Sequence, residues 1–219
     1  MGSRKKLMQS YPVGKGRLSE RPIITDETKI VSKKFGYDYF DGDRKYGYGG
    51  FDYHPKFWTK VVEDFIVEYS LDGKSTILDI GCAKGFMLVD FKKSIPSIKV
   101  AGVDLSEYAI SNSHPIVSQD LIVGNAVQLP FDNDSFELVV SINTLHNLKK
   151  IEIKKALQEI ERIGYKNKFI MVDGYESELE KEMMNKWVLT AETVLSYREW
   201  EDFFSEVGYT GDYDFWTVS

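Results

Sequence analysis

The stretch ILDIGCAKGFM, Ile77–Met87, decides the fold, because it joins an apolar strand to a helix through a turn of small residues. Apolar residues lead into the turn GCAKG, and Asp79 stands just before its first glycine. A strand–turn–helix junction of this kind is typical of parallel sheets that bind ligands beyond the carboxyl ends of their strands. The turn is therefore the first candidate ligand site in the chain.

Short runs rich in Ile, Val and Leu recur on both sides of this junction. They cover Thr76–Ile80, Lys99–Val103, Asp120–Val123, Glu137–Ser141 and Lys168–Val172, and helical segments at about 84–94, 106–113 and 151–163 fall between most of them. Strands that are apolar on both faces and alternate with helices predict a parallel sheet covered on each side. We therefore predict an α/β fold: a Rossmann-like, doubly wound, mostly parallel sheet with helices on both faces.

Two segments precede the predicted core over residues 76–172. Residues 1–36 lack sustained periodicity and predict a mobile basic arm, in which a short helix fits around 27–34. Residues 37–58 mix aromatic side chains with glycines and predict a lid, with ordinary packing against the core as the alternative. Apolar residues at three- and four-residue steps over 56–69 then predict an amphipathic helix.

The segment after the core, residues 173–219, predicts helices at about 178–190 and 197–206. The residues that follow, 208–218, predict one last strand or a short hairpin. A chain of 219 residues has room for one domain of this kind and not for a second. We therefore expect a single domain over 37–219 with the arm before it.

The charge of the chain is divided unevenly. Residues 1–34 hold nine Lys/Arg and three Asp/Glu, which leaves 19 Lys/Arg and 31 Asp/Glu, a net charge of −12, for the rest. A body that acidic repels a nucleic-acid backbone. The sequence therefore argues against a nucleic-acid substrate.

Cysteine and hydropathy favour a cytoplasmic protein. Cys82 is the single cysteine, so an internal disulfide is excluded, and the chain holds no apolar run of the length that a signal peptide or a membrane helix needs. The three histidines lack companions at ligand spacing, so we expect no metal site. The sequence does not specify an oligomeric state.

The turn itself limits the ligand. A dinucleotide fingerprint reads G-x-G-x-x-G, but Ala83 and Phe86 occupy the places of its second and third glycines. The carboxylate of Asp79 would also repel a pyrophosphate. A ligand with an ammonium group and without phosphate reverses the sign of that interaction, and S-adenosylmethionine is such a ligand.

Four segments, in this order, make the chain resemble the class I S-adenosylmethionine-dependent methyltransferases over roughly Thr76–Val172. They are ILDIGCAKG (77–85), AGVDLS (101–106), GNAVQLPF (124–131) and FELVVSINTLHNL (136–148). The resemblance implies S-adenosylmethionine as the methyl donor and S-adenosylhomocysteine as the product. It implies methyl transfer to an O, N or C atom, and the aromatic, acidic lid favours a small-molecule acceptor.

The resemblance also assigns residues to the cofactor. Asp104 would accept hydrogen bonds from the ribose hydroxyls, and Asn125 with the backbone of Ala126 would meet the adenine. Asp79 and the small residues after it would border the methionine part. The lid adds Arg44 as a partner for the methionine carboxylate and Tyr39 as an aromatic wall. The full predicted set is Tyr39, Arg44, Asp79, Gly81, Cys82, Ala83, Gly85, Asp104, Leu105, Asn125, Ala126 and Asn143.

Asn143 and His146 are the candidate catalytic residues. Both follow the fourth predicted strand, where this family lines its acceptor pocket. The ring of His146 could take a proton from an acceptor at neutral pH. A structural histidine is the alternative.

Two residues depart from the common family pattern. Ala83 stands in place of a glycine and should narrow the turn without blocking a ligand that lacks phosphate. Asn125 stands in place of an aspartate, which leaves the adenine amino group a neutral and therefore weaker acceptor.

Simpler interpretations of these residues stay open. Asp79 could bond to backbone N–H groups of its own turn, Asp104 could cap the helix that follows it, and Cys82 could be a small buried apolar residue rather than a nucleophile. For the whole chain the alternatives are a non-catalytic cofactor-binding or scaffold protein and a nicotinamide-dependent oxidoreductase.

Overall fold

The computed structural model describes residues 2–12 and 23–218, which contain seven strands in one sheet. The strands are β1 (Thr76–Ile80), β2 (Lys99–Asp104), β3 (Leu121–Val123), β4 (Phe136–Ile142), β5 (Gly164–Tyr175), β6 (Leu195–Ser196) and β7 (Asp212–Trp216). The helices are α1 (Asp26–Ser32), α2 (Tyr37–Phe40), α3 (Pro55–Tyr69), α4 (Phe86–Ser94), α5 (Glu107–Ser111), α6 (Lys150–Ile163), α7 (Glu178–Trp187) and α8 (Tyr197–Val207).

The sheet is parallel in every described strand pair. Its order is β3-β2-β1-β4-β5, and both β6 and β7 pair with β5. From the neighbouring strands β1 and β4 the chain winds outward in opposite directions, so the crevice between their carboxyl ends is the place where such sheets bind ligands. The predicted Rossmann-like, mostly parallel fold is confirmed, and its last element is one strand rather than a hairpin.

Helices cover both faces of the sheet because its central strands are apolar on both sides. In β1, Leu78 and Ile80 belong to the core that α6 and α8 complete, whereas Ile77 belongs to the core formed with α3 and α4. All three side chains are 1% exposed or less. No helix among the described residues is both long and apolar enough to cross a membrane.

Residues 2–12, here called the strap, lie against the last strand. Ser3 and Arg4 reach β7: the backbone N–H of Ser3 donates to Asp212 Oδ1 at 2.9 Å, and Arg4 Nε lies 2.9 Å from Asp214 Oδ1. The backbone N–H of Lys5 donates to the carbonyl of Tyr213 at 2.9 Å. The basic residues of the strap thus find acidic partners on the body.

This attachment corrects the prediction of a mobile arm over residues 1–36. The prediction fails for the strap because its partners lie more than 200 positions away in sequence, where local patterns carry no information. The short helix predicted around 27–34 is confirmed: residues Asp26–Ser32 form α1, with Thr25 as its N-cap. Residues 13–22 of the predicted arm lie outside the described residues.

Candidate active site

Two adjoining cavities lie at the carboxyl ends of β1, β2 and β4. The smaller has a volume of about 170 Å³ and the larger about 540 Å³. The residues that border both are Tyr39, Tyr48, Gly81, Ala83, Ile142 and Asn143.

The predicted cofactor residues divide between these cavities. Those that border only the smaller cavity are Asp104, Leu105, Asn125 and Ala126, and those that border only the larger one are Arg44, Asp79 and Cys82. Gly85 borders neither. Packing favours glycine at this position, because a Cβ on Gly85 would lie 2.7 Å from Val117 Cγ2.

The turn after β1 needs a residue without a side chain at its first position. A Cβ on Gly81 would lie 1.9 Å from Thr144 Oγ1, so the turns after β1 and β4 touch only because this residue is glycine. Gly81 also has φ +82°, and Ala83 has φ +49°. Ala83 therefore adopts a left-handed conformation in which an L-residue is strained by about 1–2 kcal/mol.

Asp104 holds the turns after β1 and β2 together. Its Oδ2 accepts from the backbone N–H of Ala83 and its Oδ1 from that of Ser106, both at 2.8 Å. Burial raises the pKa of Asp104, and these two bonds partly oppose the rise. The N-cap of α5 is Ser106, whose Oγ accepts from Ala109 N–H, so Asp104 is not the cap.

Asp79 is a buried carboxylate, 6% exposed, to which no described residue donates a hydrogen bond. Burial and the charge of Asp104 raise its pKa to about 7. The simpler interpretation, in which backbone N–H groups of the turn hold Asp79, does not agree with this geometry. A cation in the larger cavity would restore the ordinary preference for the ionised form.

Asn125 closes a small turn that borders the smaller cavity. Its Oδ1 accepts from the backbone N–H of Val127 at 3.1 Å. The oxygen is therefore partly occupied within the protein, and Ala126 lies within the same turn beside the cavity.

The lid is held to the turn after β1 by an ion pair. Lys84 Nζ lies 2.8 Å and 2.7 Å from the two carboxylate oxygens of Asp41, and it donates to the carbonyl of Phe51 at 2.9 Å. Tyr108 donates to the same carboxylate at 2.6 Å. Burial alone would raise the pKa of Asp41, but the bonds from Lys84, Tyr108 and the N–H of Phe51 lower it.

Sequence reasoning missed this pair. A lysine inside the glycine turn was the available signal, because a long cation among buried residues needs an anion nearby. Asn147 was also missed: it borders the smaller cavity, and its Oδ1 is buried without a hydrogen-bond partner in the described part of the chain.

The predicted lid residues meet the cavities in different ways. Tyr39 borders both cavities, and its ring centroid lies 5.4 Å from that of Tyr48. Arg44 borders the larger cavity, and its guanidinium donates to the carbonyl of Gly47 within the lid.

His146 borders the larger cavity but is not arranged as a proton acceptor. Its Nδ1 accepts from the backbone N–H of Asp173 at 3.0 Å. The proton of the neutral ring is therefore on Nε2, which can donate but has no free electron pair for a proton. Burial lowers the pKa of His146, and the nearby carboxylate of Asp173 opposes this only in part. With this tautomer Nε2 donates rather than accepts, which does not favour a general base, and the role of His146 stays a prediction.

Asn143 lies where the two cavities meet. It has φ +54°, one of five non-glycine residues with positive φ among the described residues, and its backbone N–H donates to the carbonyl of Met171 at 2.9 Å. Strained backbone of this kind is concentrated at functional sites. The role of Asn143 beside an acceptor stays a prediction.

Cys82 is a packing residue. It is 5% exposed, and burial raises the pKa of its thiol well above the ordinary value, which keeps it from acting as a nucleophile. The described residues contain no group of three or more His, Cys, Asp or Glu side chains that could hold a metal ion.

Comparison with known proteins agrees with the fold and the turn. Residues 77–166 match the family model described as a methyltransferase domain. A tRNA (carboxymethyluridine(34)-5-O)-methyltransferase of Arabidopsis thaliana is 31% identical over 126 residues, 54% of this chain and 28% of that protein. A demethylmenaquinone methyltransferase of Symbiobacterium thermophilum is 32% identical over 114 residues, 48% and 45% of the two chains.

The YcgJ protein of Bacillus subtilis has a similar fold, with a TM-score of 0.55 and 20% identity over 67% of this chain and 66% of that one. The matched residues are therefore similar to a methyltransferase domain, and the fold agrees with the resemblance to the class I S-adenosylmethionine-dependent methyltransferases. S-adenosylmethionine is the methyl donor of that class. The matched residues are less than half of this chain, and this chain spans 28% and 45% of the two relatives in length.

The strain at Ala83 can be measured. We expect Ala83→Gly to stabilise the protein by up to about 1 kcal/mol, because the relief of about 1–2 kcal/mol exceeds the cost of about 0.4–1 kcal/mol from the more flexible unfolded chain. Urea unfolding measures the change. The control Ala109→Gly, within α5, should destabilise by about 1 kcal/mol or more. An equal loss of unfolding free energy in Ala83→Gly and Ala109→Gly would contradict the backbone strain at Ala83.

Proposed function

We propose that this chain transfers the methyl group of S-adenosylmethionine to an O, N or C atom of a small-molecule acceptor. The carboxylate of Asp79 carries the proposal, because it is buried beside the larger cavity without a hydrogen-bond donor from the described residues. A group in that state is suited to a cationic ligand, and the α-ammonium of the donor supplies the charge.

The smaller cavity suits the adenosine part of the donor. Each carboxylate oxygen of Asp104 accepts one backbone hydrogen bond and keeps capacity for a ribose hydroxyl. The amide nitrogen of Asn125 and the unpartnered Oδ1 of Asn147 offer polar contacts to the base. Leu105, 60% exposed, offers an apolar surface to the ring.

The larger cavity suits the methionine part and the acceptor. Asp79 pairs with the ammonium, and Arg44 at the lid is the proposed partner of the methionine carboxylate. The absent side chain of Gly81 leaves room between these groups and the end of β4. Residues 37–58 would close over the donor, with Asp41 and Lys84 as their anchor.

When bound, the donor supplies an activated methyl group on a sulfonium, so the protein needs to contribute little covalent chemistry. Its residues orient the two reactants, and good orientation can contribute on the order of 7–11 kcal/mol. Asn143 lies at the junction of the cavities, where it can position the acceptor. His146, with its proton on Nε2, can donate a hydrogen bond to an acceptor oxygen.

The acidic body and the aromatic walls of the larger cavity support a small acceptor. The two named relatives match about half of this chain. Their own acceptors differ, since one is named for a tRNA uridine and the other for demethylmenaquinone. The match to a methyltransferase domain argues against the nicotinamide-dependent alternative. A non-catalytic protein that only binds the donor is the remaining alternative.

Cofactor binding tests the proposal through Asp104. We expect Asp104→Ala to weaken the binding of S-adenosylhomocysteine about 10- to 150-fold, because a hydrogen bond to a charged group contributes about 1.5–3 kcal/mol. Titration calorimetry measures the dissociation constant. Asp132→Ala, an exposed acidic residue outside both cavities, is the control. An unchanged constant in Asp104→Ala would remove this residue from the site.

The pKa of Asp79 predicts a pH dependence. The ammonium needs the ionised carboxylate, so the affinity for S-adenosylhomocysteine should rise about tenfold from pH 6 to pH 8. Asp79→Asn should bind more weakly and lose this dependence. Asp52→Asn, which removes a carboxylate at the same cavity, should keep it.

The stability of the free protein should fall as the pH rises, whereas its affinity for S-adenosylhomocysteine should increase. The pKa of Asp79 rises from 3.8 to about 7 on folding, so the free protein binds more protons than the unfolded chain between these values and loses stability as the pH rises through them. Asp79→Asn should therefore be more stable than the wild type to urea at pH 8. A variant that is less stable at pH 8 would show that another residue holds this carboxylate.

The tautomer of His146 gives a further prediction. Long-range ¹H–¹⁵N NMR should show an unprotonated Nδ1 and a protonated Nε2 at pH 7, and the spectrum of His146→Gln assigns the signals. With the natural acceptor, His146→Gln should keep turnover close to wild type, since its amide can also donate. A 10²- to 10⁴-fold loss of turnover would restore the role of a general base.

A further inference from the structure

The walls of the larger cavity are aromatic and come from distant parts of the chain. Trp58 borders it from α3 and Tyr11 from the strap, while Trp187 ends α7 and Trp216 ends β7. Aromatic side chains on several walls favour planar ligands, which they hold by offset stacking and edge contacts.

Tyr11 joins an aromatic cluster at the start of α3. Its ring centroid lies 5.1 Å from that of Trp58 in an edge-on arrangement and 5.5 Å from that of Phe57. The neighbouring residue, Ser10, donates to Asp64 Oδ2 at 2.5 Å. Trp187 and Trp216 form a second aromatic pair at the same cavity, with centroids 5.6 Å apart.

The other end of the strap is fixed by Arg4. Its guanidinium carbon lies 4.6 Å from the ring centroid of Tyr197 and 5.1 Å from that of Phe215, in addition to the ion pair with Asp214. Planar guanidinium groups interact favourably with aromatic faces. Because Arg4 does not border either cavity, it acts on the cavity only through the position of the strap.

We propose that the acceptor of this chain carries a neutral planar aromatic ring that binds against Tyr11 and Trp58 in the larger cavity. Tyr11 is then a residue that selects the acceptor, and Arg4 is a positioning residue for the strap. This inference rests on the proposed function, which places the methionine part of the donor in the same cavity.

A neutral ring fits the charges better than a cation does. The donor already brings a sulfonium to the cavity, and a second positive charge beside it would be repelled. A quaternary ammonium, the usual occupant of an aromatic cage, also lacks the electron pair that attacks a methyl carbon. The acceptor atom must supply that pair while the carbon–sulfur bond breaks and the sulfur keeps the bonding electrons.

The test uses 5-fluoroindole as the planar probe, with ¹⁹F NMR of the full chain saturated with S-adenosylhomocysteine. We expect the probe to bind the wild type, and choline in excess to leave it bound. Tyr11→Leu should weaken its binding about five- to tenfold, and Tyr11→Phe should restore it. Arg4→Gln should also weaken it. Tyr165→Leu, half-exposed and outside both cavities, should have no effect.

Each outcome has a distinct meaning. Equal probe binding in the wild type and Tyr11→Leu would overturn the inference, and so would displacement of the probe by choline. The dissociation constant of S-adenosylhomocysteine, measured for every variant, shows that the variants are folded and the donor site is intact. A wild type that fails to bind S-adenosylhomocysteine would contradict the proposed function itself.

Discussion

The structure depends on two carboxylates, Asp79 and Asp104, that stand at the carboxyl ends of neighbouring strands without a cationic partner from the described side chains. Asp104 is partly compensated by two backbone N–H groups, whereas Asp79 is not, and its pKa of about 7 records that difference. Burial of an unpaired charge destabilises a fold. The arrangement becomes favourable only with a ligand that brings a positive charge and hydroxyl groups, which is the chemistry of the proposed donor.

Lys84, the cation of the turn after β1, pairs with Asp41 of the predicted lid. Its ammonium bonds to Asp41 and to the carbonyl of Phe51. This ion pair therefore fixes the predicted lid to the turn, and Asp79 has no cationic partner among the described side chains. Because the pair is largely buried, its loss would expose an uncompensated charge as well as free the lid.

Local pattern was sufficient for the sheet, and it brought most of the predicted site residues to the two cavities, although their roles stay predictions. The first strand was predicted at its observed bounds, Thr76–Ile80, because an apolar run begins there and leads directly into the glycine turn. Strand β5 runs over Gly164–Tyr175, well beyond the predicted Lys168–Val172, because pairing with β4 and β7 extends it through polar residues. The tautomer of His146 depends on a backbone N–H 27 positions away. No periodicity in the sequence encodes such a contact.

The matched residues, 77–166, include Asp79, Asp104, Asn125 and Asn143 at the two cavities, whereas much of the wall of the larger cavity comes from other parts of the chain. The strap, the lid and the ends of α7 and β7 all lie outside that range, and they supply most of the aromatic walls of the larger cavity. Two proteins can therefore share the turn and its carboxylates and still bind unrelated acceptors. The acceptor must be inferred from the walls of the larger cavity, which are largely aromatic and to which the strap, fixed to the edge of the sheet by Arg4, contributes Tyr11.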